Sequence, residues 1–163
     1  NKVIKKSLYN GLRFSSQKVM LEDYEILTSV FLKINRMVFI DNNLYFYRQN
    51  SNSITHNVNV EIISENNITI AKREQMILEA YPYLLTAVRI GRAYRALSYL
   101  TFLRKICDDY EIKQKEQKNL RKYLYLFLLD EDINIKKKLA ALLLSVNLRI
   151  YDTMLRLYSK ECF

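Results

Sequence analysis

Apolar positions along this chain follow a helical period over most of its length. Residues 2–9 read as a short helix, which Asn10 and Gly11 terminate, glycine supplying the left-handed cap. From Asp23, Ile26, Leu27, Val30, Phe31 and Ile34 recur every three or four residues, and Asn35 ends the run. The period then changes. Residues 37–40 and 44–47 are short β-type runs separated by the polar turn cluster Asp41, Asn42 and Asn43, which predicts a hairpin or two adjacent edge strands. After His56 the helical pattern returns. It predicts helices over 60–80, broken at Tyr81 and Pro82, over 84–108, over 112–129, over 133–146 and over 148–160. In the second of these, Val88, Ala93, Ala96, Leu97, Leu100 and Leu103 mark the core face. Asp130, Glu131 and Asp132 precede the fourth and fit its N-terminus through the helix dipole, and Asn147 fits a cap for the fifth.

Composition narrows the function classes. The chain has 163 residues, two glycines and one proline, which argues against a turn-rich β-sandwich. Gly11 and Gly91 stand too far apart for a phosphate-cradling loop. Cys107 and Cys162 lack any CxxC or Cys/His cluster, and with a single histidine a structural zinc site is disfavoured. Two unclustered thiols fit a reducing, cytoplasmic compartment. No apolar run approaches the ~20 residues that span a bilayer. The formal net charge is +9, which points to an anionic partner. That charge is split: residues 1–56 carry +4, 57–110 carry +1 and 111–163 carry +4.

Candidate chemistry sits in the first third. Glu22 and Asp23 open a helix, where the plain reading of an acid pair is a favourable dipole interaction. The order of pieces around them adds to that reading. A lysine-rich helix (NKVIKKSLY) precedes GLRF at 11–14. Glu22, Asp23 and Tyr24 follow, then VFID at 38–41, LYFYR at 44–48, and Ser53, Ile54 and Thr55. Six pieces in this order and spacing resemble the second half of the catalytic domain of bacterial family 2 glycosyltransferases, and the match covers residues 1 to about 56.

The resemblance implies a GT-A, Rossmann-like domain whose sugar-nucleotide half precedes this segment. The implied fold class is mostly α: a C-terminal remnant of an α/β GT-A domain, with short helices plus two short strands, over 1–56. An α-helical C-terminal domain over 57–163 follows. The implied activity is inverting transfer of a sugar from a nucleotide-sugar donor to a glycan or lipid-linked acceptor in surface polysaccharide or glycoconjugate synthesis. Asp23 matches the general base, and Glu22 beside it would hold the acceptor or orient nearby groups. One carboxylate on the acceptor side suffices, because the diphosphate leaves without needing a proton. Arg48 and Ser53 match donor-facing positions that would neutralise and hydrogen-bond the leaving group; Tyr47 is a further substrate-binding candidate. A divalent metal, Mn or Mg, is implied for the full-length enzyme, with His56 as one ligand and the acidic DxD ligands upstream of this chain. The chain alone is expected to bind no cofactor and to lack transfer activity.

The basic helices carry a second set of expectations. Lys136, Lys137 and Lys138 lead into an apolar run, a pattern read as a solvated basic face over a packed apolar one. Peripheral contact with the inner face of a cell membrane and a homo-oligomeric surface are the functional alternatives. Lys113, Lys115, Lys118, Arg121 and Lys122 flank a tyrosine-rich run, so the rival to the enzyme is a basic helical nucleic-acid-binding or regulatory module. Because those tyrosines sit in a dense leucine run, as in a core helix, no nucleic-acid partner is expected for the enzyme.

Overall fold

A computed structural model describes residues 2–14, 21–42, 45–46, 59–106 and 109–150. The described chain is mostly helical and, among the described residues, contains no strand. It divides into two compact units, Asn1–Tyr83 and Leu84–Phe163.

In the first unit a 3₁₀ turn, Lys6–Tyr9, stops where Asn10 N–H donates to Ser7 at 3.2 Å. Gly11 then takes φ +77°, the conformation that glycine reaches at little steric cost. Helix α1 (Glu22–Phe31) buries Ile26, Thr28 and Val30. Its partner is α2 (Val60–Ala80), which begins where the Asn59 side chain accepts the Ile62 N–H at 2.9 Å. Helix α2 turns Ile63, Asn66 and Glu74 inward. This interface is polar for an interior: the Asn66 amide oxygen is buried and finds no hydrogen-bond partner among the described residues. Residues 37–40 are irregular, and of 44–47 only Tyr45 and Phe46 are described, without regular structure. The expected hairpin therefore falls partly outside the described residues. Helix α2, placed by its sequence with the helical C-terminal part, packs in the first unit against α1.

Tyr81 ends α2 with its N–H on the Ile77 carbonyl, in a non-helical conformation that suits a residue before proline. A 3₁₀ turn, Pro82–Leu84, leads into the second unit, a three-helix bundle. Helix α3 (Leu85–Ile106) buries Ala93, Ala96, Leu97, Leu100 and Leu103, the predicted core face. Val88 of that set is only half-buried. Helix α4 (Tyr110–Leu129) starts two residues earlier than its apolar pattern implies, because the Asp109 carboxylate caps the N–H groups of Glu111 and Ile112. Arg92 meets Tyr123 and Tyr94 meets Phe127, so α4 runs back along α3. Helix α5 (Ile135–Val146) completes a core around Leu100, Leu120, Phe127 and Leu144.

The start of α5 departs from the expected one. The acidic triplet lies before it, and the cap is Asn134, whose side chain accepts the Lys137 N–H at 3.0 Å. Asp130 instead accepts the Asp132 N–H and tightens the connection, while Ile133 is buried in the core. After α5 the Asn147 side chain accepts the Arg149 N–H at 2.8 Å, and residues 148–150 are helical. The rest of the predicted fifth C-terminal helix lies outside the described residues.

Candidate functional site

Asp23 is the second residue of α1, and its side chain is exposed. The helix entry that positions it is unusual. Leu21 precedes α1 in the left-handed region, φ 70° and ψ 24°, and its carbonyl accepts the Tyr24 N–H at 2.9 Å. Among the described residues, no side chain caps this end. The left-handed conformation costs a non-glycine residue about 1–2 kcal/mol. Nothing in a Leu-Glu-Asp-Tyr string announces it. Glu22 and Asp23 follow Leu21 directly as the first two helical residues. Their placement in the first turn sets both next to the positive end of the helix dipole. Behind them the helix is braced. The Thr28 hydroxyl donates to the Tyr24 carbonyl at 2.7 Å, and the Arg73 guanidinium lies 5.2 Å from the Tyr24 ring centroid.

Tyr47, Arg48, Ser53 and His56 lie outside the described residues. Among the described residues, no three His, Cys, Asp or Glu side chains come together in a group that could hold a metal.

A concave feature elsewhere was not expected from sequence. In the three-helix unit a groove of about 510 Å³ opens between α3 and the start of α5. Tyr94, Leu97 and Thr101 line one side, and Asn134, Lys136 and Lys137 the other. Among the described residues, no carboxylate lines it. The Lys137 ammonium donates to the Tyr94 hydroxyl and lies 4.6 Å from the centre of that ring. The lysine triplet thus divides: Lys136 and Lys137 are both exposed, but Lys137 engages an aromatic 43 positions away. No short-range pattern reports such a pairing.

The tyrosine-rich run of α4 also splits. Tyr123 packs against the core, with its hydroxyl accepting from Arg92 at 3.3 Å, while Tyr125 faces solvent. The Arg92 hydrogen bond, together with the Lys122 charge, holds the Tyr123 phenol below its ordinary value of 10.0 against the opposing effect of burial. No helix among the described residues is long and apolar enough to cross a membrane. No family model, curated protein or solved structure matches this chain.

Proposed function

We propose that this chain is the acceptor-side part of an inverting, metal-dependent glycosyltransferase of the family 2 type, followed by a helical C-terminal region. Asp23 is the general base, accepting the proton of an acceptor hydroxyl as that oxygen attacks the anomeric carbon and the nucleoside diphosphate departs. Glu22 orients the acceptor. Arg48, Tyr47 and Ser53 meet the donor, and His56 joins DxD carboxylates supplied by a segment outside these 163 residues.

One observation carries this reading beyond the motif order. The first unit leaves a run of apolar side chains in solvent and buries polar ones beside Ile26, Val30 and Ile63. Phe39 and Phe46 keep 86% and 93% of their surface in solvent, with Met37, Val38, Ile40 and Tyr45 also exposed. Meanwhile Asn66 and Glu74 are buried between helices, Asn66 with an unpaired oxygen. Contiguous exposed apolar residues are the mark of a surface built for a partner. Docking of a nucleotide-binding half over residues 37–46 accounts for it.

Two measurements test the proposal. The coding sequence upstream of Asn1 should encode a strand-rich segment with a DxD motif; a start codon directly before Asn1 would overturn the reading. Calorimetry should find no tight binding of a nucleotide sugar by the 163-residue chain, and tight binding would contradict the division of labour proposed.

A further inference from the structure

Helix α5 has two apolar faces, and the bundle uses one. Ala141 and Leu144 face the core. On the opposite side Ile135, Leu139, Leu142 and Val146 keep 66%, 53%, 39% and 69% of their surface in solvent. At about 100° per residue these four fall within roughly 60° of one another, a single stripe along the helix. Lys136 and Lys138 flank it, about 100° to one side of Ile135 and about 60° to the other. Lys137, between them in sequence, turns away to Tyr94.

We propose that this solvent face of α5 docks on an anionic lipid bilayer, with the stripe at the acyl boundary and Lys136 and Lys138 at headgroup phosphates. Charge selects this occupant. The unit Leu84–Phe163 carries 16 Lys and Arg against 9 Asp and Glu, so the stripe sits on a strongly cationic body. A second copy of the chain is a poorer cover: packed parallel along the stripe it sets lysines opposite lysines, and packed antiparallel it still brings two bodies of like net charge together. An RNA strand is a poor cover too: the stripe is aliphatic and offers no ring on which bases stack. Length fixes the mode of contact. Twelve residues span about 18 Å, short of the ~30 Å hydrocarbon core, so α5 lies in the interfacial plane. This inference is independent of the sugar-transfer reading and can fail without it.

The test is co-sedimentation of the full chain with vesicles. Phosphatidylcholine vesicles containing phosphatidylserine should bind it, pure phosphatidylcholine vesicles should bind it far more weakly, and raising salt above about 0.15 M should release it. Leu139→Ser with Val146→Ser should weaken binding at least about tenfold. Lys136→Gln and Lys138→Gln should each weaken it roughly fivefold. All four positions lie at least partly in solvent, and unchanged helical circular dichroism confirms that the variants fold. The control is Lys115→Gln with Lys118→Gln on α4. A larger loss there than on α5 would overturn the assignment. So would absence of binding, equal binding to both vesicle types, or a dimer in sedimentation velocity that the stripe variants convert to monomer.

Discussion

Arg121 and Gln117 hold an end of a helix they do not belong to. Gln117 donates to the Leu144 carbonyl at 2.7 Å, and Arg121 donates to Ser145 at 2.5 Å and to Val146 at 3.2 Å. These are C-terminal carbonyls of α5, which lack partners within their own helix and favour a nearby cation. In sequence Arg121 is one more lysine-or-arginine in a basic face; 24 residues separate it from the carbonyl it serves, and no local pattern links them. Arg121→Met should therefore destabilise the three-helix unit by about 1.5–3 kcal/mol, the worth of hydrogen bonds from a charged donor, in urea denaturation. Lys118→Met, on an exposed position of the same helix, should change little. Arg92 offers a pH test. The folded state lowers the Tyr123 phenol, so it contributes stability that is present above pH 10 and is lost as pH falls through the lowered value. An ultraviolet titration should show one phenol ionising early, and Arg92→Met should abolish that early step. In that variant the gain in stability as pH rises toward 10 should also disappear.

At the scale of elements, the sequence is most transparent where periodicity and caps coincide. The span of α2 is legible because Asn59 caps its start and Pro82 forbids its continuation. The core of α3 is legible because positions 93, 96, 97, 100 and 103 keep one helical face. The start of α5 is not, because charge and capping compete. Three acids look like an N-terminus, yet a side-chain acceptor one residue before the helix decides where the first turn begins, and that acceptor is Asn134. Asn134→Ala should cost about 1 kcal/mol in thermal or urea unfolding, and Glu131→Ala, on the exposed turn, much less. For the candidate site, periodicity places Glu22 and Asp23 at the start of α1, while the left-handed Leu21 just before them leaves no mark in sequence. The groove beside Tyr94 is hidden because its walls come from two separate helices, with the Lys137–Tyr94 pair 43 positions apart.

For the whole molecule, the two units differ in how well they bury what they should. Leu84–Phe163 has its own core, with Leu100, Leu120, Phe127 and Leu144 fully enclosed. Expressed alone, it should keep its helical circular dichroism and melt cooperatively, and Phe127→Ala should lower its stability by about 3–5 kcal/mol. The first unit leaves aromatic side chains in solvent and should bind a hydrophobic dye until the segment that covers them is supplied. On this account that segment carries the donor, and Asp23 acts on the acceptor across from it. The most direct measurement is turnover against donor binding in the full-length protein carrying Asp23→Asn. The account predicts loss of transfer by at least about a hundredfold, the usual contribution of a general base, with donor affinity nearly unchanged. Retained turnover in that variant would contradict it.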